Sequence, residues 1–284
     1  MRAARSPVVG APRGVVAAGA TLTGVDVPRA VPDDAAIDHF EQHGWVVLPD
    51  LLEPGEVARA REALVAAAES CEAMGYPTRI EVLDPGGRNI RVYDLLARDA
   101  VFAELVTHPT VIAHVEHLLD GDFQISNFTA NIALPGSGSM NVHNDQSTLL
   151  PEPWDRRWSM NAIWCLDDVD GENGATRYLP GSHRCTRFDE VPADPRPSMV
   201  PFEAAAGSVV LMDGRLWHTS GENVSESRER AMLFALYARS FLRHQTNWWQ
   251  VVPRDVRRAF PPELKEWLGL RGGNMSHGNY LANL

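Results

Sequence analysis

The chain has 284 residues, 44% hydrophobic and 22% charged, an ordinary globular composition whose length allows one or two domains or a single β-rich one. A chain of this size buries roughly 70–75% of its unfolded surface, so it needs neither a disulfide framework nor a structural metal to fold. Lys plus Arg total 26 against 37 Asp plus Glu, a net charge of −11, which argues against nucleic acid or an anionic membrane surface as partner and suits a small-molecule substrate.

The first 33 residues are rich in Ala, Gly, Val, Pro and Arg and show no period. Gly10, Pro12, Arg13 and Gly14 interrupt the apolar runs, so the segment reads as a flexible tail, with a transit peptide as the alternative and a secretory signal disfavoured. Asp33-Asp34 begins a short helix that Gly44 ends. Trp45-Val46-Val47-Leu48 reads as a strand. Glu53-Pro54-Gly55 opens a long helix over roughly 54–73, closed by Gly75-Tyr76-Pro77. A polar loop with Pro85-Gly86-Gly87 follows. Residues 100–119 are helical again, divided at Pro109.

From residue 122 the pattern changes. Phe123 to Ile132 alternates with the two-residue period of a strand. Strand-like runs recur at 139–144, 158–166, 175–179, 208–212 and 230–238, separated by Gly and Pro. Many short strands with turn signals predict a closed sandwich or barrel. The expectation is a tail over 1–33 and one domain over 34–284, mainly β with flanking helices. Within it lie a helical N-terminal layer (34–120), a β core (121–240) and a C-terminal extension.

Cys71, Cys165 and Cys185 are odd in number and far apart, with no CxxC pair, so a reducing cytoplasm is the simplest setting. No apolar run approaches the ~20 residues of a membrane span. The sequence does not specify an oligomeric state.

The chemistry concentrates in His143-Asn144-Asp145 and Trp217-His218. On a strand, residues i and i+2 point to the same side, so His143 and Asp145 would both face a barrel interior. His218 returns after the run Val209 to Gly214, a strand and a turn. Two imidazoles and a carboxylate can hold one face of an Fe(II) and leave the opposite face open, the ligand set of non-heme Fe(II) oxygenases.

These residues do not stand alone. Pro135-Gly136, His143-Asn144-Asp145-Gln146, Leu166-Asp167-Asp168, Glu172-Asn173-Gly174-Ala175-Thr176, Pro180-Gly181-Ser182-His183-Arg184, Gly207-Ser208-Val209-Val210 and His218-Thr219-Ser220-Gly221, with Asn223 and Ser225, run in order. The set resembles the phytanoyl-CoA dioxygenase family of Fe(II)/2-oxoglutarate oxygenases. The resemblance implies a double-stranded β-helix (jelly-roll, cupin-like) core, iron held by His143, Asp145 and His218, and 2-oxoglutarate and O2 as co-substrates. Succinate and CO2 would be the co-products. Related halogenases lack the carboxylate, so Asp145 turns the expectation from halogenation toward hydroxylation. Desaturation, cyclisation and peroxide formation are variants of the same chemistry.

The far carboxylate of 2-oxoglutarate needs a buried cation, and Arg matches a carboxylate with two parallel hydrogen bonds. Where the family places this Arg, the chain has Glu229, flanked by Arg228 and Arg230. Arg230 is preferred because it leads directly into Ala231 to Tyr237; Arg228 is the alternative. Ser220 resembles the family's hydroxyl that assists this carboxylate. Asn141 stands where the family often has Gln and would hydrogen-bond the co-substrate. Trp164 would wall the pocket. Met140 and Gln146 flank the ligands as candidate substrate contacts. Arg88 and Arg91 read as surface arginines or anion contacts, and the stretch 243–249 as a cover for the pocket or as packing. A metal-dependent, non-oxidative jelly-roll enzyme and a non-catalytic ligand-binding barrel are the alternative readings.

Overall fold

A computed structural model describes residues 30–84 and 86–271. Residues 1–29 of the expected tail, and Pro85 of the expected loop, lie outside the described residues. Helix α1 (Asp34–His43) is capped by Asp33, whose carboxylate accepts the N–H groups of Ala35 and Ala36. It stops at Gly44, where φ is +79° and a Cβ would lie 2.6 Å from the His183 ring; only glycine meets both conditions. Strand β1 (Trp45–Leu48) follows. Helix α2 (Pro54–Ala73) begins with the Glu56 carboxylate reaching back to the Glu53 N–H. Helices α3 (Ala100–Val106) and α4 (Pro109–Leu118) are divided at Pro109, which takes the first position of α4.

The remaining strands are β2 (Asn89–Val92), β3 (Gln124–Ala133), β4 (Ser159–Cys165), β5 (Thr176–Tyr178), β6 (Val200–Pro201), β7 (Val209–Asp213), β8 (His218–Ser220) and β9 (Arg230–Ala238). They form an antiparallel six-stranded sheet, order β1-β7-β4-β9-β3-β2, and a three-stranded sheet, order β6-β5-β8. Side chains alternate across each strand, and both faces of the large sheet are covered. On one face Met160, Ala162, Trp164, Leu211, Leu233, Ala235 and Tyr237 join a core with α2, α3 and α4. On the other Ile163, Cys165, Val210, Met212 and Met232 pack against Tyr178 and Phe202 of the small-sheet region. Tyr178 and Phe202 stack with ring centroids 4.5 Å apart. Two sheets packed across this second core make the jelly roll.

The structure departs from the sequence expectation in two places. The N-terminal half is not only a helical layer: β1 and β2 form the two edges of the large sheet. Residues 139–144 do not form a strand. They make a single bridge, at His143, and Asp145 opens a 3-10 turn (Asp145–Thr148) capped by the Asn144 side chain. The C-terminal extension folds into α5 (Trp248–Val251), α6 (Arg254–Ala259) and α7 (Pro262–Trp267), whose Phe260, Leu264 and Leu268 enter the helix-side core. Among the described residues no helix is long and apolar enough to cross a membrane. Cys71, Cys165 and Cys185 are free, the first two buried.

One buried charge ties these layers together. Asp213, at the end of β7, accepts from Arg157 Nε at 2.9 Å and from Arg215 Nη2 at 2.8 Å. Arg157 also donates to the Leu118 carbonyl at the end of α4 and to Glu41 in α1. Burial pushes the Asp213 carboxyl up, but Arg215 and Arg157 overcome it and hold the group below the usual carboxylate range. Asp213→Ala strands the Arg215 guanidinium, takes Nε of Arg157 from its partner and should cost about 3–5 kcal/mol, read as a lowered midpoint in chemical denaturation.

Candidate metal centre

His143, Asp145 and His218 converge although they come from an extended segment, a 3-10 turn and a three-residue strand. His143 and His218 pair through two backbone hydrogen bonds, His143 N to His218 O at 3.0 Å and the reverse at 2.8 Å. Their rings lie 4.4 Å apart between centroids. Each ring is turned by its own Nδ1–H: His143 donates to the Asn141 carbonyl and His218 to the Leu216 carbonyl, both at 2.9 Å. That fixes the tautomer and leaves both Nε2 atoms as free donors to a metal. Asp145 Oδ1 lies 3.8 Å from His143 Nε2 and 3.7 Å from His218 Nε2. One ligand atom from each of the three residues falls within 4.8 Å of the others. Burial lowers the His218 pKa to about 4 against the opposing pull of Asp145, so the ring is neutral and ready to ligate at neutral pH. Donor types, tautomers and spacing all fit one Fe(II).

The three residues line a cavity of about 240 Å³ together with Met140, Asn161, Thr176, Ser220 and Arg230. Arg230 is 1% exposed, and its Nε and Nη2 have no partner among the described residues. Burial lowers its pKa to about 10, with Arg91 adding to the effect and Cys165 and Asp167 opposing it, so it is still a cation at neutral pH. A buried guanidinium with idle N–H groups, on a residue that lines a cavity, is a fitting receptor for a carboxylate. The start of β9 is held by Asp167, which accepts the Ala231 N–H at 2.8 Å and pairs with Arg61. Ser220 Oγ accepts the Met140 N–H, which leaves its own proton to donate.

Several sequence candidates fall elsewhere. Arg228 is solvent-facing and pairs with Asp170 and Glu172. Trp164 does not wall the cavity: it is fully buried on the helix side of β4, edge-on to His108. Its neighbours Ile163 and Cys165 face the other core, so strand parity alone excludes it. Asn141 is exposed and does not line the cavity; its backbone carbonyl, not its amide, serves the site. Gln146 is buried and clamps Trp158 N and the Arg156 carbonyl.

Reading the sequence missed Asn161, whose Nδ2 donates to Asp145 Oδ2 at 3.1 Å. A polar residue inside the apolar run of β4 was the available signal. Arg91, on β2, lines the cavity with its Nε buried and unpartnered. The 243–249 stretch does reach the cavity. Gln245 lines it, accepting from Asn127 and donating to Thr148 Oγ1 at 2.8 Å. Its backbone is tied to the register shift in β3 by Ser126, and Trp248 is buried with its indole N–H on the Ile125 carbonyl.

The family profile described as Phytanoyl-CoA dioxygenase (PhyH) matches residues 40–232, more than half of the chain. The chain belongs to the phytanoyl-CoA dioxygenase family. With this membership and the His143/Asp145/His218 geometry, it is an Fe(II)/2-oxoglutarate-dependent dioxygenase that uses O2. Among similar family proteins is dioxygenase af480 of Aspergillus fumigatus, 44% identical over 244 residues, spanning 86% of this chain and 77% of that protein. The crystal structure of HygX from Streptomyces hygroscopicus, with nickel and 2-oxoglutarate bound, superposes with a TM-score of 0.61. It is 18% identical and covers 75% of this chain and 89% of its own. The epimerase SnoN from nogalamycin biosynthesis superposes equally well, TM-score 0.61, at 22% identity, covering 75% of this chain and 85% of its own. Both share the jelly-roll fold.

The folded pKa of His218 lies below its ordinary 6.5, so in metal-free protein the unfolded chain binds the extra proton first. The stability from His218 is complete above pH 6.5 and is lost as pH falls toward about 4. Metal-free His218→Asn should therefore lose less melting temperature over that interval than the parent, measured by a pH series of thermal melts.

Proposed function

We propose that this dioxygenase oxidises a C–H bond of a small organic molecule, most directly by hydroxylation, in specialised metabolism. One observation carries the reading: the three metal ligands share a single cavity with a buried Arg230 whose Nε and Nη2 have no partner among the described residues. That combination suits a dicarboxylate chelated at one end and ion-paired at the other.

His143, Asp145 and His218 would hold the iron, and Arg230 with Ser220 the far carboxylate of 2-oxoglutarate. Bound iron and 2-oxoglutarate supply the O2-activating, oxidising chemistry, with succinate and CO2 as co-products. The chain's own part is placement. The two Nδ1–H bonds aim the imidazoles, and Arg230 fixes the length and direction of the co-substrate. Phe234 and Leu236 of β9 give the cavity an apolar wall, while Gln245 and Asn127 line its polar side. Restricting water around a reactive oxidant limits side reactions. The related folds hold hygromycin B in HygX and nogalamycin RO in SnoN, which supports a compact organic substrate here. Residues 34–284 would act as one catalytic domain, because the helix-side core draws on α2, α3, α4 and the large sheet together.

The test is succinate formation from 2-oxoglutarate with added Fe(II). His143→Ala should abolish it. Arg230→Ala should raise the apparent KM for 2-oxoglutarate by roughly 10-fold or more, the effect of removing a charge-assisted pair. Arg228→Ala should leave it unchanged. A larger effect at Arg228 overturns the assignment.

A further inference from the structure

We propose that Asn161 holds Asp145 to a single metal-facing oxygen, and so keeps free a coordination position that the co-substrate needs. The inference rests on the iron and 2-oxoglutarate reading above.

The three ligands are not held alike. Each imidazole is fixed by a ring N–H bonded to a main-chain carbonyl within its own segment. Asp145 lies on a 3-10 turn outside any ladder, and among the described residues its carboxylate accepts one side-chain hydrogen bond, from Asn161 Nδ2 to Oδ2 at 3.1 Å. The other oxygen, Oδ1, is the one facing both imidazole Nε2 atoms. Asn161 thus divides the carboxylate into a tethered oxygen and a ligating one.

The division has a chemical consequence. Carboxylates bind metals through one oxygen or through both, and the torsion that interconverts the two modes is soft. A 2-oxo acid chelates through its carboxylate and its oxo group, and O2 needs a further position. Together they use the face that a two-His, one-carboxylate set leaves open. A carboxylate bound through both oxygens intrudes on that face. The Asn161 amide opposes the intrusion, because turning Oδ2 to the metal breaks its bond and leaves a buried N–H without a partner.

Asn161 is placed to do this reliably. It sits on β4, a central strand, paired with Met212 on β7 and Leu236 on β9. It is 7% exposed and shares its face with the apolar Ile163 and Cys165. A buried amide in such a row calls for a reason, and its reach to Asp145 supplies one. Asn161 is therefore a positioning residue, acting on the co-substrate through Asp145.

The experiment uses the full chain, stripped of metal and loaded with Co(II), whose visible absorption reports its coordination. Asn161→Leu keeps bulk without an N–H; Asn161→Ala removes only the amide at a position that borders the cavity. Both variants should bind Co(II) as the parent does and show an altered Co(II) spectrum before any co-substrate is added. Their affinity for 2-oxoglutarate should fall by roughly 10-fold or more, the scale of losing a partner that orients a ligand. Three results overturn the proposal. One is parent-like 2-oxoglutarate affinity in both variants. Another is a parent-like Co(II) spectrum with weakened co-substrate binding, which makes Asn161 a direct contact. The third is loss of Co(II) binding itself. His143→Ala is the separate control: if it binds Co(II) as the parent does, the metal centre is misread, whatever Asn161 does.

Discussion

Two main-chain hydrogen bonds between His143 and His218 hold the site together. They join residues far apart in sequence, and they do so before any ligand arrives. A bonded antiparallel pair sets its two Cα atoms roughly 5.5 Å apart, close enough for both rings to turn toward one point. Tyr178 of β5 pairs with His218 on its other side, so the bridge continues the small sheet, and that sheet is itself packed on the large one through Tyr178 and Phe202. The geometry of the metal site is thus inherited from the packing of two sheets, not imposed by the metal. Preorganisation of this kind means that ligand binding need not also order the ligating groups.

The second constraint is electrostatic. Among the side chains lining the cavity Asp145 is the only carboxylate, whereas Arg91 and Arg230 are both cations. Each guanidinium has a buried nitrogen without a partner among the described residues. An unpaired buried charge opposes folding, so an anion beside these guanidiniums would be stabilising. Arg230 persists there because its strand is pinned from outside: Asp167 takes the next backbone N–H, and Arg61 steadies Asp167. Structural and functional charges are kept in separate places. Asp213 is paired with Arg157 and Arg215, while Arg230 and Arg91 each keep a buried nitrogen without a partner among the described residues.

What could be read from the sequence followed local chemistry. Gly44, Asp33 and Asp34 at the start of α1, and Pro109 each set a helix boundary by their own conformational or capping preference. The apolar runs of β4, β7 and β9 were plain because both faces of those strands are buried. Strand β2 was missed because its alternation, Asn-Ile-Arg-Val, lasts only four residues directly after a Gly-rich loop. Residues 139–144 looked like a strand but pair only at His143, a matter of which neighbours arrive in space. Trp164 was misplaced for want of parity: knowing that Cys165 and Ile163 face the small sheet sends Trp164 to the helices. Asn161 stood out only as a polar residue in an apolar run; its role lies in a contact with a turn sixteen positions upstream, which only the folded chain makes.

The stretch around Gln245 and Trp248 has a consequence of a different kind. It lies beyond residue 232, where the family match ends, yet it lines the cavity from an anchor on β3. The metal ligands and this one part of the cavity's lining therefore lie in separate lengths of chain. Mutation in the later length can reshape what is admitted while the oxidising machinery stays intact. Gln245 can therefore vary in sequence without touching the residues that bring the two imidazoles and the carboxylate together.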